Sequence, residues 1–163
     1  MIPIMDRLLE LLQSNARMPV ADLARAVDST EAEVAARIAA WEADGTILGY
    51  QTLIEPEKIC NGDVEAVIEI KITPERGGGF DRLARRIAQF EEVTGCYLMS
   101  GGFDLLIIVR GRNLQSVARF IAERLSTIQG VLSTATHFRL KAYKENGILL
   151  HRPEPSDRLA VSP

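Results

Sequence analysis

The segment Val93–Arg110, VTGCYLMSGGFDLLIIVR, reads as two apolar strands, Val93 to Ser100 and Phe103 to Arg110, hinged on Gly101-Gly102. Bare backbone at the hinge can take positive φ and bring N–H groups close to an anion, and Asp104 directly behind it supplies a carboxylate that can meet an ammonium. A loop with both features suits a free amino acid. The same glycines also suit a plain tight hairpin, so the flanking sequence decides what the loop is for.

Upstream, Val64, Ala66, Ile68, Ile70 and Ile72 alternate with Glu65, Glu69 and Lys71, the pattern of a half-buried strand. Phe80, Leu83, Ala84 and Ile87 then recur at helical spacing. Downstream, Leu114, Val117, Ala118, Ile121 and Leu125 define a second amphipathic helix, Gly130 stops it, and Val131 to Leu140 is strand-like. The order is βαββαβ. Right-handed crossovers place both helices on one face of a four-stranded antiparallel sheet, a ferredoxin-like sandwich. The other face is left to Val67, Leu106 and Ile108, too apolar for water, and burial at ~1.5 to 3 kcal/mol per side chain favours a second copy packed sheet on sheet. Asn146-Gly147 signals a terminal hairpin linking Tyr143 to Ile148.

The first fifty residues follow a different grammar. Leu8, Leu9 and Leu12 share one helical face, and Pro19 opens a second helix carrying Val20, Leu23, Ala24 and Val27. Thr30 with Glu33 is a capping box for a third, whose Val34, Ile38 and Trp41 fall on one side before Gly45 ends it. Two β-prone runs about Gly49, within Thr46 to Ile54, predict a small wing. The fold class is therefore α+β: an N-terminal winged helix-turn-helix over 1–50, a wing strand and linker over 51–62, the ferredoxin-like βαββαβ domain over 63–150, and a tail over 151–163.

Composition is that of a soluble globular protein. Of 163 residues 47% are apolar and 25% charged, and no uninterrupted apolar run approaches membrane-spanning length. Met1 to Met5 lacks a basic start ahead of a long apolar core, so a cytoplasmic protein without membrane contact is expected. Cys60 and Cys96 have no CxxC spacing and read as reduced, structural thiols. His137 and His151 do not make metal-ligand spacing. No motif unites nucleophile, base and orienter, so neither a metal, a cofactor nor a catalytic residue is assigned. Gly77-Gly78-Gly79 lacks the Lys-Ser/Thr pair of a phosphate loop and reads as a flexible crossover.

Three stretches, in this order, resemble the Lrp/AsnC family of prokaryotic feast/famine transcriptional regulators: Glu42-Ala43-Asp44-Gly45-Thr46-Ile47-Leu48-Gly49-Tyr50, Leu98-Met99-Ser100-Gly101-Gly102-Phe103-Asp104-Leu105, and Gly130-Val131-Leu132-Ser133-Thr134-Ala135-Thr136. The resemblance covers nearly the whole chain. It implies double-stranded DNA as one partner and a small effector, an amino acid or related metabolite, as the other. It further implies homodimers assembling to octamers or larger discs, with effector bound at contacts between dimers beside the glycine loop. Candidate effector contacts are Ser100, Gly101, Gly102, Asp104, Thr134 and Thr136. Candidate DNA contacts are Arg17, Arg25, Thr30, Ala32, Glu33, Ala36 and Arg37.

Two features depart from the family pattern. Residues 1–50 carry a net charge of −4 and the remainder +1, so the reader head is the acidic part. The face of the third helix opposite Val34, Ile38 and Trp41 is Ala32, Ala36, Ala39 and Ala43, which cannot read hydrogen-bond patterns but can touch thymine methyl groups or simply form a solvated face. Weak, salt-sensitive DNA binding is expected. Secondly, Gly102 stands where many relatives carry an acidic residue, leaving Asp104 either to turn toward a ligand or to serve strand register. Thr134 and Thr136 either donate hydroxyls or are ordinary strand threonines. Two other readings remain open: an effector-sensing assembly whose head contacts protein, and a sirohaem-decarboxylase-like enzyme in which His137 and nearby arginines hold substrate carboxylates.

Overall fold

The computed structural model describes residues 6–59, 62–73 and 80–150. Cys60, Gly77 to Gly79, His151 and the tail over 151–163 lie outside the described residues. The chain divides between Leu53 and Ile54 into two compact units.

The first unit is built from α1 (Arg7–Ser14), α2 (Val20–Ala26) and α3 (Glu31–Asp44). Leu8, Leu12, Leu23, Ala24 and Val34 are buried together, and Leu11, Met18, Val27, Ile38, Trp41 and Ile47 pack around them. Val20, expected on the α2 core face, is 37% exposed in the first turn. Pro19 caps α2, and the turn to α3 contains Asp28 at φ 50, a left-handed conformation that aspartate tolerates better than most residues. Gly45 closes α3 at φ 79.

The expected wing does not form, since residues 45–55 contain no strand. Two short runs without a third strand or an apolar face to bury are marginal as a hairpin, and Leu48 is 95% exposed. Contacts with α3 hold the segment instead. The N–H of Thr46 donates to Asp44 Oδ1 at 2.8 Å, Ile47 N–H to the Trp41 carbonyl at 2.9 Å, and the Tyr50 hydroxyl to Glu42 Oε1 at 2.8 Å.

The second unit opens with the short α4 (Pro56–Ile59). It continues through β1 (Val64–Ile72), α5 (Asp81–Ala88), β2 (Val93–Leu98), β3 (Leu105–Gly111), α6 (Leu114–Phe120, extended by a π-helical turn over Ile121–Leu125) and β4 (Val131–Phe138). The sheet is antiparallel in the order β2-β3-β1-β4, the ferredoxin-like arrangement. Ala66, Ile68, Ile70 and Ile72 of β1 and Leu105, Ile107 and Val109 of β3 are buried against Leu83 and Ile87 of α5 and Val117, Phe120 and Leu125 of α6. Both helices therefore cover the same side of the sheet.

On the opposite side Val67 pairs with Ile108 and Glu69 with Leu106, and all four are half-buried. Gly95 pairs with Ile108 there, and a Cβ at Gly95 would lie only 3.0 Å from the Tyr97 ring. Charged groups fence this apolar centre: Glu65 pairs with Arg110 at 3.4 Å and Arg139 at 2.7 Å, and His137 Nε2 approaches Glu69 at 3.4 Å. The terminal hairpin forms as the sequence predicts: β5 (Lys144–Glu145) turns through Asn146 at φ 46 and Gly147 at φ 83 into β6 (Ile148–Leu149).

Gly111 ends β3 in a tight seat, since a Cβ there would lie 2.6 Å from Ser116 Oγ and 2.7 Å from Val117 Cγ2. Substituting Gly111→Ala is expected to lower stability by ~1 to 3 kcal/mol through overpacking. Ile68→Ala, which empties the centre of the same core, should cost ~2 to 5 kcal/mol. Urea unfolding of the two variants beside the parent measures both.

Candidate DNA-reading head and effector loop

The reading helix of the head is fixed at its start by side chains, not by apolar packing alone. Thr30 Oγ1 accepts the Glu33 N–H at 3.2 Å, and Glu33 Oε2 accepts the Thr30 N–H at 3.0 Å, completing the capping box. The hydroxyls of Ser29 and Thr30 donate to the same carboxylate oxygen at 2.7 and 2.9 Å. These bonds favour the ionised form and hold the Glu33 carboxyl below its usual range, the backbone N–H of Thr30 contributing most. Ser29 was not singled out by the sequence pattern; a second hydroxyl immediately before a capping threonine is the signal that could have found it.

Arginine placement depends on partners that spacing along α3 does not reveal. Arg37 pairs with Asp6, 31 residues earlier, and its guanidinium lies 5.1 Å from the centre of the Trp41 ring. Arg25 pairs with Asp22 one turn away, and Arg7 with Glu10 at 3.2 Å. Arg17 is exposed and has no side-chain partner among the described residues. Ala32 and Ala36 are exposed on α3, as are Ala35, Ala39, Ala40 and Ala43. The head thus presents an alanine surface flanked by the Glu31 and Glu33 carboxylates, with most of its positive charge already neighbouring an acid.

In the sandwich, β2 and β3 stop short of the loop, which runs over six residues from Met99 to Asp104 and is closed by the Met99 N–H donating to the Asp104 carbonyl at 2.9 Å. Ser100, Gly101 and Gly102 are exposed. Gly101 sits at φ 137 and carries the left-handed strain, while Gly102 does not. Asp104 turns toward the sheet. Its N–H donates to the Ile70 carbonyl at 3.0 Å, and its Oδ2 accepts the Ile72 N–H at 2.8 Å, where the β1–β4 register shifts at Lys71/Ile72. One carboxylate oxygen therefore serves strand register.

Thr134 lies in the same cross-sheet row as this loop end. Leu105 and Thr134 flank Ile70 on β3 and β4, which puts them two strand spacings apart, roughly 10 Å. Thr136 is one pleat further from the loop, opposite Ile68. Both threonines are half-buried and share the parity of buried β1 residues, toward the helices. The geometry thus groups Ser100, Gly101, Gly102 and Asp104 at one end of the sheet with Thr134 nearest across it, and sets Thr136 apart. Cys96 is half-buried, its Sγ 3.7 Å from the Ala84 carbonyl, and burial pushes its thiol up, away from reactivity. Among the described residues no three His, Cys, Asp or Glu side chains converge as a metal site needs, and no helix is long and apolar enough to cross a membrane.

A helix-turn-helix head in one chain with a small-molecule-binding sandwich defines a one-component transcriptional regulator. Residues 6–42 match the AsnC-type helix-turn-helix domain and residues 65–149 the Lrp/AsnC ligand-binding domain. The chain belongs to the Lrp/AsnC family of ligand-responsive, DNA-binding transcriptional regulators. It is 40% identical over 157 residues to the HTH-type transcriptional regulator YugG of Bacillus subtilis, covering 96% of this chain and 95% of that one. With the proline dehydrogenase transcriptional activator of Rhodobacter capsulatus it shares 32% identity over 139 residues, 85% of this chain and 90% of the relative. A Neisseria meningitidis transcriptional regulator solved with L-Met has the same fold, with a TM-score of 0.68 at 23% identity over 87% of this chain and 94% of that one.

The capping box sets a pH dependence with a definite sign. Because the folded-state Glu33 carboxyl titrates below its unfolded value, its stabilising contribution is full above the unfolded value and is lost as pH falls through the folded one. Glu33→Gln should melt below the parent at neutral pH, and the gap should close once pH drops well below the carboxylate range. Thermal unfolding of the two proteins across that pH range checks it.

Proposed function

We propose that this chain senses an amino acid through the 99–104 loop and converts occupancy into altered assembly, and so altered spacing, of heads bound to double-stranded DNA. The observation that carries this reading is the exposed Gly101 turn with Asp104 beside it, at the edge of a fold whose relatives are regulators. The backbone N–H groups of Ser100, Gly101 and Gly102 would meet the ligand carboxylate, the Asp104 carboxylate its ammonium, and the Thr134 hydroxyl would come from β4, two strands across, with Thr136 one pleat behind it. The L-Met ligand of the Neisseria protein supports an amino acid as the class. The two parts divide as reader over 1–50, connection over 51–62, effector and assembly domain over 63–150, and tail over 151–163. No enzymatic step is included, and the site of action is the cytoplasm.

Assembly begins with a homodimer through the open sheet face, where Val67, Leu106 and Ile108 form an apolar centre within a charged fence; dimers then associate to an octamer. DNA contact runs through α3 and its flanks, with Thr30, Ala32, Glu33 and Ala36 at the start of the helix and Arg17, Arg25 and Arg37 around it. Since Arg25 and Arg37 already have acidic partners, phosphate attraction rests first on Arg17 and binding is weak and salt-sensitive. The same pairing favours a second reading, in which the head docks on a protein. Absence of any gel shift on the chain's own promoter region at low salt, with and without amino acids, selects that second reading.

A thermal-shift screen of the twenty amino acids is expected to yield at least one stabilising ligand. At 100 times its dissociation constant it adds ~2.7 kcal/mol. Asp104→Asn, which can still accept the Ile72 N–H, should remove that shift while leaving the ligand-free melt close to the parent; a screen with no responder would sink the amino-acid assignment. Ile108→Glu should convert a dimer into a monomer in sedimentation velocity, and a parent that sediments as a monomer at micromolar concentration excludes the proposed interface.

A further inference from the structure

Charge in this chain is distributed against the task of its domains. The head carries −4, and three of its four arginines already have acidic neighbours. The sandwich carries several of its exposed cations on the helical side. At about 100° per residue, Arg85 lies opposite the buried Leu83 and Ile87 of α5, with Arg86 beside it, and Arg119 faces away from the buried Val117 and Phe120 of α6. Arg112 stands immediately before the Asn113 cap of α6. All four are exposed, and none has a side-chain partner among the described residues. Arg124 on the same layer is committed, paired with Glu92 and stacked 4.5 Å from the Phe90 ring centre and 5.6 Å from that of Phe120. The acidic groups of the layer are Asp81, Glu91, Glu92 and Glu123, of which Glu92 is neutralised by Arg124.

We propose that the helical layer of the sandwich is a second DNA-contacting surface, on which Arg85, Arg86, Arg112 and Arg119 bind phosphates of double-stranded DNA. The inference rests on the DNA-binding reading above and extends it to the effector domain. Guanidinium groups free of protein carboxylates match phosphate oxygens in a bidentate way. Such contacts carry no sequence information; they hold the duplex without reading it. Duplex is favoured over an acidic protein because the chain already brings DNA to its own surface, and because a phosphate row offers several arginines on two neighbouring helices a partner at once.

The experiment uses the full chain and measures how the binding constant for a duplex from its own promoter region falls with salt, by fluorescence anisotropy. In the triple variant Arg85→Gln, Arg86→Gln, Arg119→Gln, the slope of log K against log salt should be shallower by roughly two to three units, about 0.9 for each lost phosphate contact. Lys144→Gln, on the terminal hairpin, removes one positive charge elsewhere and should leave the slope unchanged; the thermal melts of both variants report that they remain folded. An unaltered slope in the triple variant overturns the second surface and leaves the DNA-binding reading in place. A comparable drop per charge in Lys144→Gln also overturns it, since net charge and not location would then govern binding. A parent that fails to bind duplex at low salt overturns both readings.

Discussion

Everything in the sandwich is organised by β1, one of the two inner strands, paired to β3 through Val64–Ile70 and to β4 through Ala66–Ile72. Its alternation commits Ala66, Ile68, Ile70 and Ile72 to the helical side and Glu65, Val67, Glu69 and Lys71 to the other. A slip of one residue would bury two glutamates and a lysine and expose three isoleucines, a penalty that no surface contact in the chain could offset. With β1 fixed, the β3 register, the seat of both helices and the position of the glycine loop follow.

The head obeys a different economy. Its core is small, and the orientation of its reading helix depends on polar anchors: the capping box around Glu33, the Arg37–Asp6 pair and the Gly45 stop. These anchors consume the groups that a DNA-binding surface ordinarily offers to phosphates. What remains outward on α3 is largely alanine, which allows close approach but supplies no hydrogen-bond readout.

Periodicity was enough to read the strand order, both amphipathic helices, the capping box and the Asn146-Gly147 hairpin, because each is written in local spacing or in a residue needed for one backbone conformation. Local spacing misled at Thr46 to Ile54, where β-prone residues around a glycine lack any sheet to join and are held by the end of α3. It was silent on contacts between distant positions. Arg37 looked available because nothing near it in sequence announces Asp6, and the attachment of Asp104 to Ile72 spans 32 residues.

The bond from the Ile72 N–H to Asp104 has a consequence for recognition. It aims the carboxylate before any visitor arrives, so the rotamer freedom of that side chain is already surrendered when the sheet closes. The loop acquires its poised geometry only when the final rung of β1 is in place. Fraying at that rung would blunt the loop without touching it, which makes the mechanical soundness of the sheet end a silent partner in whatever chemistry the bend performs.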